Sequence, residues 1–174
     1  FEPRLFAKVN AAEKLREELS RPGHRCEVIS IGANTDPYQP IEREWKITRG
    51  VLEVCAAFNQ PVGIVTKNAM AERHLDILVP MARKNLVNVF ISLNNLDHEL
   101  ARRLEPRCSA PLRRLQAMKK LSEADVPAGV LVAPVIPFLN DHQIEPALEA
   151  AWEHGARQAG YVLMRLPWEV KDLF

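Results

Sequence analysis

Apolar runs that read as strands occur five times in this chain, each separated from the next by helical sequence. The strand runs are Glu27 to Ala33, Val62 to Thr66, Val87 to Leu93, Ala128 to Ile136 and Gly160 to Leu166. The helical segments are Ala11 to Ser20, Ile41 to Phe58, Ala71 to Lys84, Leu96 to Leu104, Pro111 to Ala124 and Gln143 to His154, and another begins at Trp168. Apolar residues recur there at helical spacing, as in Ala12, Leu15 and Leu19. Pro111 suits a first helical turn, Asn140 and Asp141 suit a cap, and Pro80 predicts a kink. Alternation of this kind implies a parallel sheet with right-handed crossovers. The strands are apolar nearly throughout, as in Val130-Leu-Val-Ala-Pro-Val-Ile136, which is expected when both faces are covered. The class is α/β. Two architectures fit, an open doubly wound sheet or part of a (β/α) barrel.

The 174 residues are one domain's worth, and 47% of them are apolar, enough for a sizeable core. A net charge of +1 argues against a broad electrostatic grip on nucleic acid or on a membrane surface. No apolar run approaches about eighteen residues, so no membrane span is expected. The first ten residues lack a basic-then-apolar layout, so no leader is expected either. Cys26, Cys55 and Cys108 are far apart and without metal-ligand spacing, and read as free thiols in a reducing cytoplasm. The five histidines share no spacing, which disfavours a zinc site. Glycine-rich dinucleotide and P-loop motifs are absent, as is a nucleophile elbow.

Every strand run ends in polar chemistry. The exits are Asn34-Thr35-Asp36, then Thr66-Lys67-Asn68, then Ser92-Leu93-Asn94-Asn95, then Pro134 to Pro137 followed by Asn140-Asp141, and finally Arg165. One such exit is an ordinary turn or cap. Five in succession point to a site, because ligands of parallel α/β proteins sit at the carboxyl ends of the strands. Pro37 and Pro40 stiffen the first exit, which leaves little entropy to lose on binding. Lys67 is expected in the mouth of the sheet, holding a carboxylate or phosphate as a point charge. Five arginines, Arg102, Arg103, Arg107, Arg113 and Arg114, fall within thirteen residues. Arg102 and Arg114 read as a solvated helix face. Arg107 follows a proline that aims it, to pair with Glu105 or with a ligand anion.

With these residues in place, the chain resembles radical S-adenosylmethionine (SAM) enzymes of the DNA repair photolyase-like subgroup, related to spore photoproduct lyase. The segments that carry the resemblance are Asn34 to Glu42, Val62 to Lys67, Leu104 to Arg107, Val132 to Pro137 with Asn140-Asp141, and Gly160 to Pro167. The resemblance implies a partial (β/α)6 TIM-like barrel, with residues 1–174 forming one domain of a longer core. Its first strand and its cluster loop are expected upstream of Phe1. That loop, Cys-x-x-x-Cys-x-x-Cys, would hold a [4Fe–4S] cluster that reductively cleaves SAM and starts radical chemistry on an unknown substrate.

The resemblance also implies roles. The segment from Gly32 to Asp36 would receive the SAM amino group through backbone carbonyls, Asn34 or Thr35, and reads Gly-Ala-Asn where the family commonly has Gly-Gly-Glu. Lys67, next to Thr66, would hold the SAM carboxylate. Ser92 would reach the ribose, Val135 and Ile136 the adenine, and Leu163 to Arg165 would border adenine or substrate. The implied partners are the small-molecule cofactor and an electron donor such as flavodoxin or ferredoxin. A nucleic-acid substrate gains no support from the charge. A second reading is a non-catalytic ligand- or partner-binding domain on a degenerate barrel. Cysteines at the stated spacing upstream discriminate the two. Without a preceding strand, the edge at Glu27 to Ile31 is expected to lie open and promote association.

Overall fold

The structure, a computed structural model, describes residues 6 to 166. The helix expected from Trp168 lies outside the described residues. Strands β1 (Ile29–Ile31), β2 (Val62–Thr66), β3 (Val87–Ser92), β4 (Ala128–Val135) and β5 (Gln158–Leu163) form one sheet in the order of the chain. Every neighbouring pair is parallel. Each crossover therefore places the new strand beside the previous one, always on the same side. A doubly wound sheet reverses direction at a switch point. This one does not, and its order is that of a barrel.

The crossovers are helical: α1 (Ala11–Leu19), α2 (Glu42–Trp45), α3 (Ile47–Phe58), α4 (Leu75–Ala82), α5 (His98–Leu104), α6 (Pro111–Glu123) and α7 (Ile144–Glu153). Successive strand side chains point to opposite faces. Val62, Ile64, Val87, Val89, Ile91, Val130 and Val132 are buried in one core with Leu52, Leu78, Met118, Leu121 and Ala147 from the helices. On the other face Gly63, Val65, Asn88, Phe90 and Leu131 are only half-buried. The uniformly apolar strands thus overstate the burial of that inner face.

Three local differences have physical causes. The helix expected over Ile41 to Phe58 breaks at Lys46, which has a left-handed φ of 49°. Tertiary bonds compensate for the break: Thr48 Oγ1 donates to the Pro37 carbonyl at 2.7 Å, and the Arg49 N–H donates to Glu42 Oε1 at 3.2 Å. The segment expected as one helix from Ala71 begins instead as a 3₁₀ turn, Ala69–His74, started by Asn68 Oδ1 accepting the Met70 N–H at 3.1 Å. Asn140 does not cap α7 through its side chain. It is fully buried, and its amide accepts from the Ile136 N–H and donates to the carbonyls of Asn94 and Pro134.

Candidate functional site

A cleft of about 930 Å³ opens at the carboxyl ends of the strands. Asn34, Thr35, Asp36, Thr66, Lys67, Ser92, Ile136 and Arg165 line it, and so does Arg107. Tertiary structure therefore gathers five exits that lie more than 130 residues apart, from Asn34 to Arg165. Val135 is placed differently. It is 2% exposed and packs in the core on the helix side of β4. Strand alternation explains this, because Pro134 and Ile136 face the cleft and the residue between them cannot.

The first exit is built on a close approach. Gly32 has φ +98°, and a Cβ there would collide with the Val65 carbonyl oxygen. The chain then turns through Asp36, whose carboxylate serves the protein itself. It accepts the Tyr38 N–H at 2.8 Å, the Thr66 hydroxyl at 2.9 Å and the Lys67 N–H at 2.6 Å. Thr66 Oγ1 in turn accepts the Asn68 N–H at 2.9 Å, and Asn68 Nδ2 donates to the Tyr38 carbonyl at 3.0 Å. Asp36 and Thr66 thus lock the exits of β1 and β2 together. Asn34 and Thr35 remain exposed at the cleft rim.

Behind this loop, Tyr38 Oη lies 3.1 Å from His74 Nδ1, and both residues are buried. Burial, then the negative charges of Glu42 and Asp36, pushes the Tyr38 phenol up. Burial, then the nearby Arg49 guanidinium, holds the His74 imidazole below its ordinary value. The neutral ring can accept the Tyr38 hydroxyl proton, and this pair supports the cleft wall from behind. Tyr38 lies in a segment that carries the resemblance, but the sequence assigns neither it nor His74, 36 positions away, a role of its own.

The Lys67 ammonium lies 2.7 Å from Glu105 Oε1. Glu105 Oε2 accepts from Arg114 Nη2 at 2.6 Å. Two readings of the arginine cluster are corrected here, while Arg102 is exposed as expected. Glu105 pairs with Lys67 and Arg114 rather than with Arg107. Arg114 is 1% exposed rather than part of a solvated face. A guanidinium is buried when each edge meets an acceptor, and Arg114 also donates to the carbonyls of Ser109 and Ser92. Ser92 is itself 2% exposed, and its hydroxyl donates to the Ala133 carbonyl at 3.1 Å.

The residues present do not fit an iron–sulfur cluster. Among the described residues, no three His, Cys, Asp or Glu side chains are placed to hold a metal ion. Cys26 is exposed, Cys55 is in the core, and Cys108 is half-buried in the cleft wall. Burial pushes the Cys55 thiol up to about 11, and burial with the nearby Glu105 raises that of Cys108. A small polar cofactor such as SAM does fit. The cleft is of ligand size, its wall carries Lys67 and Arg107, and Asn94 presents a buried amide nitrogen with no hydrogen-bond partner among the described residues.

A parallel strand-and-helix unit with a polar cleft at its carboxyl end defines the class as a barrel-type α/β ligand-binding core. Residues 4–151 match the radical SAM superfamily, and the chain belongs to that family. It is similar to an uncharacterized protein of Mycobacterium tuberculosis, at 36% identity over 141 residues, covering 81% of this chain and 42% of that protein. An uncharacterized protein of Methanocaldococcus jannaschii is 27% identical over 124 residues, 71% of this chain and 46% of that protein. The chain thus spans less than half the length of these curated relatives. Among solved structures, a mutant of spore photoproduct lyase superposes with a TM-score of 0.72 at 16% identity, over 98% of this chain and 51% of that one. Streptococcus suis SuiB bound to S-adenosylmethionine superposes with a TM-score of 0.67 at 14% identity, over 97% of this chain and 37% of that one. These likenesses bear out the α/β partial barrel. No helix among the described residues is long and apolar enough to cross a membrane.

Proposed function

We propose that this chain forms the SAM-binding part of a radical SAM enzyme whose cluster cysteines lie outside these residues. The observation that carries the reading is the cleft itself, which collects the polar ends of five parallel strands around one ammonium, Lys67, in a chain of this family. SAM with a reduced [4Fe–4S] cluster supplies one-electron initiation of radical chemistry; the protein supplies position and exclusion of water.

The work of this chain's residues follows from their placement. The Lys67 ammonium, held in the cleft wall, takes the carboxylate of the methionine end. The rim at Asn34 and Thr35 offers oxygen acceptors to the amine. Asp36 and Thr66 bind no ligand directly and keep the rim and Lys67 in register. Ser92 and Asn94 stand where a ribose would lie, and Ile136 and Met164 offer apolar surface to a base. Arg107 and Arg165, both exposed, face the open side where a substrate enters. Electrons come from an external one-electron carrier of the flavodoxin or ferredoxin type. The free thiols suit a reducing cytoplasm.

The test uses the full-length protein that carries this chain. After anaerobic reconstitution it should contain one [4Fe–4S] cluster by iron and sulfide analysis and should bind SAM by calorimetry. A full-length protein that takes up no iron refutes the enzyme reading.

A further inference from the structure

Among the described residues Arg114 is the largest fully buried side chain, and it is charged. Burying an ion pair is costly, and an apolar set of the same volume often serves stability equally well. The arrangement around Arg114 therefore calls for a reason beyond packing. Its three nitrogens each have a partner: Nε donates to the Ser109 carbonyl at 2.6 Å, Nη1 to the Ser92 carbonyl at 2.9 Å and Nη2 to Glu105 Oε2 at 2.6 Å. Glu105 is thereby fixed at one oxygen, and its other oxygen faces the Lys67 ammonium at 2.7 Å. The Glu105 side chain is 5% exposed and that of Arg114 is 2% exposed, whereas Lys67 keeps 34% of its side chain open to the cleft.

The charges matter as much as the geometry. Glu105 alone beside Lys67 would cancel its charge. Arg114 restores it, so two cations and one anion leave the cluster formally +1. Glu105 Oε1 meets the ammonium as an ion pair and makes no hydrogen bond among the described residues, so the ammonium keeps its donors for a ligand. We propose that Glu105, clamped by Arg114, is a positioning residue: it aims the Lys67 ammonium into the cleft while Arg114 preserves the positive charge, so that the cleft selects ligands ending in a carboxylate. This rests on the SAM site proposed above.

The experiment measures affinity by calorimetry in the full-length, anaerobically reconstituted protein, with SAM and with decarboxylated SAM as probes. Glu105→Gln should weaken SAM roughly tenfold, the scale of one charge-assisted hydrogen bond. It should change decarboxylated SAM by less than about twofold, since that ligand has no carboxylate for Lys67 to meet. In a Lys67→Met background the same substitution should have no further effect on SAM. Removing a negative charge beside Lys67 would by simple electrostatics tighten SAM, so unchanged or tighter binding overturns the proposal. A loss that persists in the Lys67→Met background assigns Glu105 to the fold instead and overturns it too. Glu105→Asp provides a second route if the glutamine variant does not fold. It keeps the charge but is too short to span both cations, and should also weaken SAM; wild-type affinity in that variant overturns the proposal. A wild-type protein that binds neither probe removes the SAM site itself, and the inference with it.

Discussion

Asp36 accepts the backbone N–H of Lys67 at 2.6 Å, which ties the exit of β1 to the exit of β2 at the residue whose side chain enters the cleft. The same carboxylate holds the Thr66 hydroxyl, so one side chain sets the spacing of two strand ends. Asp36→Asn keeps one oxygen acceptor but turns a donor toward Thr66 or Lys67. Stability to urea should fall by about 1–3 kcal/mol, the range for a disrupted hydrogen bond to a buried charged group. An unchanged midpoint would mean that Pro37 and Pro40 alone hold the loop.

Gly32 leaves no room for a side chain, because its φ of +98° is joined to a close approach by the Val65 carbonyl. Backbone cannot swing aside as a long side chain can. Gly32→Ala should destabilise by more than about 2 kcal/mol, in the range of strained backbone and overpacking. Thermal denaturation beside Gly23→Ala, where no atom lies within 4 Å, separates the two causes. Both positions have positive φ, so only Gly32 adds the clash.

Lys67→Met should weaken SAM binding in the full-length protein by about 1.5–3 kcal/mol, the scale of a hydrogen bond to a charged group. Calorimetry decides it. Unchanged affinity would move Lys67 from the binding site to the structural ion pair with Glu105.

His74 makes the fold sensitive to acid. Burial, then Arg49, lowers its folded value below the ordinary 6.5, while the unfolded chain keeps that value. The fold therefore holds the neutral ring, and the unfolded state binds the proton first. Its stabilisation is complete above about pH 6.5 and is lost as the pH falls from there through the lower folded value. Urea midpoints compared at pH 7.5 and 5.5 should drop in the wild type and drop less in His74→Gln. Equal drops would place the acid sensitivity on other groups.

The three thiols should react in order of exposure. Cys26 is exposed and should be modified first by a thiol-selective reagent, Cys108 slowly, and Cys55 only on unfolding, because its thiolate is suppressed up to about 11 by burial. Mass mapping of the labelled peptides reads the order. Rapid labelling of Cys55 in the native protein would contradict its place in the core.

Local pattern determined much of this protein. Apolar periodicity and turn chemistry were enough for the alternating elements, the parallel sheet and the polar strand exits, because these are set by neighbours a few residues away. The helix expected from Leu96 starts at His98 instead, because Asp97 caps it by accepting the N–H groups of Glu99 and Leu100. What a polar residue does at an exit was not legible. Asp36 and Thr66 look like ligand groups until the fold brings them within bonding distance of each other. Arg114 looks like a surface residue because i, i+3 and i+4 spacing says nothing about a glutamate and two carbonyls brought in from outside the helix. Only tertiary structure decides whether a buried polar group finds its partners inside the protein or leaves a donor for a ligand, since desolvation penalises the unpaired state wherever the chain closes over it. For the same reason the helix over Ile41 to Phe58 could not be seen to break at Lys46. The bonds that stabilise the break run from Thr48 to Pro37 and from Arg49 to Glu42, and no local propensity records them.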